Sequence, residues 1–215
     1  MKKTLLIGIL AALTGFSQAA SVAIQNPGFE VTDLTAAGGN TWTNDLAAGG
    51  GWINQDNSTN NGSSFIEVID GFSFEGTQHI GIASAWGIGQ DTGILFAANT
   101  RYTLSIAAGN RTNQSAAGNL SQYGFSDGIG GINGSATFDA FANVAAGTFA
   151  EAPAYVFDVP AGSPLIGQPV IIGLSSAGPG RSHFDNIRLD ASAIPEPTTG
   201  LLAGLAGLML LRRKR

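Results

Sequence analysis

The chain has 215 residues, which is enough for one domain with a hydrophobic core, yet only 12% of them are charged and 31 are glycine. Six of the ten basic residues lie at the two ends, which leaves four arginines against fifteen carboxylates in the stretch between them. Such an acidic stretch disfavours binding to nucleic acid through its phosphates and leaves room for calcium. The absence of cysteine excludes a disulfide framework, a thiolate zinc site and a cysteine nucleophile.

Residues 1–19 are predicted to be a secretory signal peptide. Lys2 and Lys3 form a basic start, and an apolar run extends from Leu5 to Phe16. Small residues at 17 and 19 then favour cleavage before Ala20, with cleavage after Ala20 or Ala23 left open. A buried N-terminal helix is the alternative, but it would not explain why these three features coincide.

Residues 20–193 are predicted to form one all-β domain. Glycine, Asn, Ser and Thr disfavour long helices, whereas side chains alternate between apolar and polar at 101–106, with Tyr102, Leu104 and Ile106 on one face. The Gly- and Asn-rich stretches 38–62 and 109–135 are interpreted as loops. About nine strands without an amphipathic helix indicate a β-sandwich. The other predicted strands lie at 22–32, 64–69, 78–82, 93–97, 136–142, 154–159, 168–175 and 182–190.

The C-terminal residues 194–215 form a third segment. Pro195, Glu196 and Pro197 prevent a helix from continuing out of the domain, residues 198–211 are apolar, and four basic residues end the chain. Fourteen helical residues span about 21 Å, which is short of a hydrocarbon core of about 30 Å. The segment is therefore predicted to be a short hydrophobic helix that holds the protein in the membrane before processing.

This ending resembles the PEP-CTERM sorting signal of Gram-negative bacteria. The resemblance implies that an exosortase, a membrane-embedded processing enzyme, recognises Pro195, Glu196 and Pro197 and cuts nearby. It further implies export through the inner membrane to the cell surface or extracellular matrix. An ordinary C-terminal anchor is the alternative.

Three short segments of the body carry a second resemblance. Asn26-Pro-Gly-Phe-Glu30, Thr100–Leu104 and Phe184–Leu189 are similar to PEP-CTERM domains of the jelly-roll type, and the first and last also resemble jelly-roll carbohydrate-binding modules. The resemblance implies a jelly-roll β-sandwich of about 8–10 strands whose first and last strands are neighbours.

In the modules that the chain resembles, the motif positions of Glu30 and Asp185 commonly hold one structural calcium ion. Carboxylate oxygens are the hard ligands that calcium prefers. Asp185 shares the parity of Ile187 and Leu189, so a carboxylate facing the core there would need a counter-charge. The alternative is that Arg181 or Arg188 pairs with Asp185, while Glu30 faces water.

Aromatic side chains in or beside polar loops are candidates for stacking against sugar rings. They are Trp42, Trp52, Trp86 and Tyr123, and Trp86 is the preferred exposed one because small residues flank it. Core packing is the competing interpretation for each of them.

No catalytic constellation is visible in the sequence. His79 and His183 have no nearby histidine partner and match no zinc spacing, and no Gly-x-Ser-x-Gly elbow or phosphate loop occurs. The predicted function is a non-catalytic surface or matrix protein that interacts with extracellular polysaccharide. A dedicated carbohydrate-binding lectin is the alternative, and a glycan-active enzyme is the third class.

Overall fold

Two antiparallel sheets face each other across an apolar core in this computed structural model. It describes residues 18–31, 34, 41–43, 46, 51–54, 63–69, 71–126 and 132–194. The predicted signal peptide up to residue 17, the predicted sorting motif Pro195, Glu196 and Pro197, and the predicted hydrophobic helix 198–211 lie outside these residues. Within the described ranges, no helix is long and apolar enough to cross a membrane.

Thirteen strands and one helical turn make up the described part of the chain. The elements are β1 (Ala20–Val22), β2 (Thr41–Thr43), β3 (Ile53–Asn54), β4 (Ser64–Val68), β5 (Gln78–Ala83), β6 (Gly87–Leu95), β7 (Thr100–Asn110), β8 (Leu120–Ser126), β9 (Ile132–Phe138), α1 (Ala140–Asn143), β10 (Thr148–Glu151), β11 (Tyr155–Val159), β12 (Pro169–Ala177) and β13 (Arg181–Ala193).

The larger sheet has eight strands, in the order β10-β7-β13-β5-β4-β2, with β1 paired to β13 and β11 paired to β7. The smaller sheet has the order β3-β6-β12-β8-β9. The all-β jelly-roll sandwich predicted from the sequence is confirmed. Its first and last strands are neighbours as expected, since Ala20 pairs with Ala191 and Val22 with Leu189.

The alternating pattern of β7 shows why the chain folds into layers. Tyr102, Leu104 and Ile106 are buried on the inner face, where they oppose Ile172 and Leu174 of the smaller sheet within one hydrophobic core. Burying a large apolar side chain contributes roughly 1.5–3 kcal/mol, so the inner faces of the two sheets hold the sandwich together.

Several predicted boundaries differ from the structure. Of the predicted strand 22–32, only Val22 lies in a strand among the described residues. The predicted strand 136–142 ends at Phe138, and Asp139 then caps the short helix α1 by accepting a hydrogen bond from the Ala142 amide. The predicted loop 109–135 contains β8 and the start of β9, because Ser121, Tyr123 and Phe125 alternate inward between glycines and polar residues. Short strands β2 and β3 likewise occupy part of the predicted loop 38–62.

Candidate functional site

The outer face of the eight-stranded sheet carries a polar cluster built by strand pairing. Glu67 on β4 lies opposite His79 on β5, and Trp42 on β2 lies opposite Glu67. Two residues further along β5, Gly81 pairs with His183 on β13, and His183 also pairs with Gly109 on β7. Antiparallel partners share a face, so residues far apart in sequence meet here.

Glu67 accepts hydrogen bonds from two arginines. Arg111 Nη1 lies 2.5 Å from Glu67 Oε2, and Arg181 Nη1 lies 2.7 Å from Oε1. Burial alone would raise the pKa of Glu67, but His79 together with the charges of Arg111 and Arg181 holds that pKa below its usual value. The carboxylate is therefore a buried anion that fixes two guanidinium groups side by side.

Two histidine rings lie beside this carboxylate, 5.3 Å apart between ring centroids. His79 Nε2 is 3.5 Å from Glu67 Oε2, which is longer than a good hydrogen bond. The ring nitrogens of both histidines have no hydrogen-bond partner in the described part of the chain. Burial lowers the pKa of both rings, that of His183 well below its usual value, so both are neutral at pH 7.

Phe72 and Phe149 cover the histidines. The Phe72 ring contacts His79 at 5.0 Å and His183 at 5.5 Å, and Phe149 contacts His79 at 5.5 Å. A side chain at Gly109 would lie 2.6 Å from the Phe149 ring, so only glycine lets that ring lie against the sheet. Both histidines are fully buried as a result.

Glu67, His79 and His183 form the one group of metal-type ligands found within the described residues, with their ligand atoms within 4.8 Å of one another. Two histidines and a carboxylate are a familiar zinc ligand set. However, both carboxylate oxygens already accept from arginines, and a dication would be repelled by two guanidinium groups a few ångströms away. The arrangement suits the positioning of arginines better than the binding of a metal.

Aromatic side chains flank the arginines. The Arg181 guanidinium lies 4.3 Å from the centroid of the Phe65 ring, and Trp42 contacts Phe65 edge-on at 5.3 Å. Trp42 is 62% exposed. Trp42, Phe65, Glu67, Arg111 and Arg181 are called the arginine–aromatic face below.

Of the four aromatic candidates named from the sequence, Trp42 belongs to this face, whereas Trp52 and Tyr123 lie in the core. Trp52 is 1% exposed and donates to the Gln25 and Asn26 carbonyls, and Tyr123 is fully buried with its hydroxyl donating to the Pro153 carbonyl. Both are core residues, so the prediction that they stack against a ligand is wrong. Trp86 is half-buried and packs against the core, whereas Trp42 is the most exposed of the four aromatic side chains.

Glu30 and Asp185, the predicted calcium ligands, lie at the two ends of one loop, residues 71–77. Asp185 accepts from the Phe74 and Glu75 amides at 2.7 and 3.1 Å and from the Asn186 amide at 2.7 Å. Glu30 accepts from the amides of Thr77 and Gln78 at 2.8 and 2.7 Å. The two motifs that carried the resemblance therefore meet at this loop.

Asp185 faces away from the core, contrary to the sequence parity. Asn186 adopts the left-handed conformation (φ 50°), and the pairing of β13 with β7 shifts register between Asp185 and Arg188. This bulge lets Phe184 and Ile187 both face the core. Neither predicted arginine pairs with Asp185, because Arg181 binds Glu67 and Arg188 binds Glu151.

Asp185 is a buried carboxylate with a second carboxylate beside it. Burial, and to a smaller extent the charge of Glu75, raise the pKa of Asp185 to about 7, although hydrogen bonds from three backbone amides lower it. A Cβ at Gly28 would lie 2.8 Å from a Glu75 carboxylate oxygen and 3.5 Å from Asp185 Oδ1, so both carboxylates border the space that this glycine leaves. Glu75 and Asp185 thus border the same space, while Glu30 binds the end of the loop next to β5, and no cation of the described residues is among the causes that shift the pKa of Asp185.

Comparison with known proteins identifies the family. The family model described as HpiC1-like, HpiC1 cyclase, matches residues 20–190. The chain belongs to the HpiC1-like family. No curated protein matches the chain.

Solved structures of carbohydrate-binding modules are similar in outline. The tandem family 22 modules of Paenibacillus barcinonensis Xyn10C share 12% identity over 86% of this chain and 50% of theirs, with a TM-score of 0.48. The C-terminal family 22 module of Clostridium thermocellum Xyn10B shares 11% over 80% of this chain and 98% of its own, with a TM-score of 0.41. A family 61 module in complex with β-1,4-galactotriose shares 12% over 77% and 95%, with a TM-score of 0.39. This chain thus spans half the length of the tandem, and no functional residue is transferred from these structures.

Proposed function

We propose that this member of the HpiC1-like family binds an acidic extracellular polysaccharide through the arginine–aromatic face, without turning it over. The observation that carries the proposal is an imbalance of charge. Arg101 pairs with Asp158 and Arg188 with Glu151, whereas Arg111 and Arg181 share the single carboxylate of Glu67. In an otherwise acidic domain, positive charge exceeds negative charge at this face, which favours an anionic ligand.

The guanidinium groups have donors to spare. Each arginine carries five N–H donors, and one nitrogen of each is engaged with Glu67. The side chains of Arg111 and Arg181 remain 20% and 26% exposed, so unused donors can reach a bound uronic acid carboxylate. Because Glu67 holds the two groups in place, little conformational entropy is lost on binding.

The exposed Trp42 ring supplies the second half of a sugar site. Flat aromatic rings match the C–H faces of pyranose rings, and Trp42 adjoins Phe65, over which Arg181 lies. An apolar platform next to a few fixed polar groups is the usual composition of a ligand site. A general lectin that also binds neutral glycans is the second candidate, and the open face of Trp42 favours it.

The name of the family raises the question of catalysis. His79 and His183 are neutral and unpartnered in the described part of the chain, which is the state that a general base requires. Both rings are fully buried beneath Phe72 and Phe149, however, so a substrate would have to displace two aromatic side chains to reach them. This burial supports binding without turnover.

Delivery to the outside is part of the proposal. The predicted signal peptide 1–19 and sorting tail 194–215 support export through the inner membrane, transient anchoring there and processing by a membrane-embedded exosortase. The processed protein would then lie at the cell surface or in the extracellular matrix. Intact-mass measurement of the surface form should find a chain that begins near Ala20 and lacks Arg212 to Arg215. A surface form that begins at Met1 contradicts export, and one that retains the basic end contradicts processing.

The proposal includes one structural calcium ion held by Glu30 and Asp185, with the Glu75 carboxylate beside Asp185. Among the described residues, no cation is among the causes that shift the pKa of Asp185, and the calcium ion would supply that positive charge. By joining β13 to the loop before β5, it would stabilise two neighbouring central strands of the larger sheet without contacting the arginine–aromatic face.

Affinity electrophoresis through gels of polygalacturonate, xylan and β-1,4-galactan tests the proposed function. Retardation by polygalacturonate should weaken with added salt and with Trp42→Ala. The matched control is Phe141→Ala, which removes a 45% exposed aromatic ring from α1. Stronger retardation by the neutral polymers would favour the lectin, and no retardation by any polymer would overturn polysaccharide binding. Release of reducing sugar that depends on Glu67 or His79 would overturn the claim of no turnover.

A further inference from the structure

An apolar cavity of about 270 Å³ opens at one end of the sandwich, separate from both sites above. Its walls include Phe125 and Ile171 of the smaller sheet, Phe157 of β11, and Phe96 and Leu165 from connecting segments. None of its lining residues is charged. For scale, an engineered cavity of about 150 Å³ with Leu, Ile and Phe walls binds benzene.

The walls of this cavity are held by contacts within the protein. Phe96, Phe125 and Phe157 contact one another with ring centroids 5.5–5.8 Å apart. The loop between β11 and β12 is fastened to Phe96 by two hydrogen bonds: the Phe96 amide donates to the Gln168 carbonyl, and the Gly167 amide donates to the Phe96 carbonyl, both at 2.9 Å. The cavity is therefore already shaped, which lowers the entropic cost of binding.

The mouth of the cavity coincides with two irregularities in the smaller sheet. The pairing of β12 with β6 shifts register between Pro169 and Ile171, and the pairing of β8 with β9 shifts between Phe125 and Ser126. Bulges spread strands locally and are frequent beside binding sites. Leu95, which pairs with Pro169, is 58% exposed, so apolar surface continues outward from the opening.

The polar side chains at this cavity are those of the lining residues Ser126 and Gln168 and the nearby hydroxyl of Tyr155. Of the three tyrosines, Tyr102 and Tyr123 have hydroxyl partners, whereas Tyr155 has none in the part of the chain that the structure describes. The Tyr155 hydroxyl lies against Gly134, a lining residue where an added Cβ would collide with it. Burial raises the pKa of Tyr155, so the group is a neutral donor at pH 7.

We propose that this cavity binds a compact, uncharged ring compound of about two fused rings that carries one hydroxyl or carbonyl group. Three phenylalanine rings provide the contact area, and Tyr155 hydrogen-bonds the polar group of the ligand. This site is independent of the polysaccharide site, since it lies between the sheets and contains no arginine.

Fluorescence titration of the purified protein with 2-naphthol, and with naphthalene as a ligand without a hydroxyl group, tests the proposal. Both compounds should bind saturably and raise the melting temperature. Tyr155→Phe should weaken 2-naphthol binding about threefold to tenfold, as expected for one hydrogen bond, and leave naphthalene binding unchanged. Equal effects on the two compounds, or no effect on either, would refute the role of Tyr155.

A variant that fills the cavity provides a second test of the proposal. Leu165→Phe adds volume from a loop position and should weaken both compounds about tenfold or more while the melting temperature without ligand is kept or raised. Because a variant that fails to fold would be uninformative, Tyr155→Phe is measured beside it, and Trp42→Ala serves as a control with unchanged binding. Absence of saturable binding to the wild-type protein, or binding that Leu165→Phe leaves intact, would overturn the proposal.

Discussion

Two buried carboxylates of this protein have opposite electrostatic surroundings. Glu67 lies between two arginines and its pKa is lowered, whereas Asp185 has backbone N–H donors and a neighbouring Glu75, and its pKa is raised to about 7. Both residues are at most 2% exposed, so burial cannot account for the difference. Arg111 and Arg181 keep Glu67 charged. No cation of the described residues does the same for Asp185.

The largest expected effect comes from removing the charge of Glu67. Glu67→Gln leaves Arg111 and Arg181 facing each other without an anion, which should lower the free energy of unfolding by about 3–5 kcal/mol. Urea denaturation followed by circular dichroism measures the change.

The matched control for that variant is Glu151→Gln, which breaks the exposed pair with Arg188 and should cost less than about 1 kcal/mol. Similar losses for the two variants would show that Glu67 is no more important to stability than a surface carboxylate. The contrast between Glu67 and Asp185 would then concern their pKa values and not the stability of the fold.

Calcium should change the behaviour of Asp185 next. With a chelator present, the raised pKa means that the contribution of this group to stability is fully present below about pH 4 and is lost as the pH rises through 7. Calcium at a hundredfold excess over its dissociation constant should raise the free energy of unfolding by about 2.7 kcal/mol and offset part of this loss. Thermal unfolding at pH 5 and pH 8, with and without calcium, measures both effects.

Asp185→Asn should abolish both the calcium response and its share of the pH dependence. Asp190→Asn, on the same strand, is the matched control and should retain both. A wild-type protein whose melting temperature ignores calcium at pH 8 would contradict the calcium site.

The smallest effect concerns the histidines beside Glu67. Their lowered pKa values mean that the unfolded chain binds more protons than the folded one just below pH 6.5, so stability should fall as the pH drops. Each histidine contributes at most about 1.4 kcal/mol per pH unit. His183→Phe should reduce the slope of the free energy of unfolding between pH 6.5 and pH 5. An unchanged slope would show that His183 does not titrate as a buried neutral ring.

Local patterns predicted most of the fold. The alternation of Tyr102, Leu104 and Ile106 identified β7, and the motifs at Glu30 and Asp185 correctly indicated that the first and last segments meet. Strand β8 was missed because Gly124 and polar residues interrupt the apolar pattern that Tyr123 and Phe125 form. The bulge at Asn186 was also missed. One residue in the left-handed conformation interrupts the alternation of β13, so the residues before it face the side opposite to the one that their spacing from Ile187 predicts.

The arginine–aromatic face could not be found from sequence spacing. His79 and His183 are 104 positions apart but come together because β5 pairs with β13, and Glu67 reaches His79 through the pairing of β4 with β5. One signal was available in the sequence. Ile80 and Ile82 face the core, so His79, which precedes Ile80 on the same strand, must face the other side of the sheet. Using that signal requires the strand order, which the sequence pattern does not contain.

The position of β13 has a consequence for how the chain acquires its fold. This last strand of the domain lies inside the larger sheet, between β7 and β5, and also pairs with β1. The sheet cannot close until residues 181–193 have been synthesised, and its central contacts join segments far apart in sequence, which slows folding. A nascent domain therefore stays open along this sheet until residues 181–193 have been made.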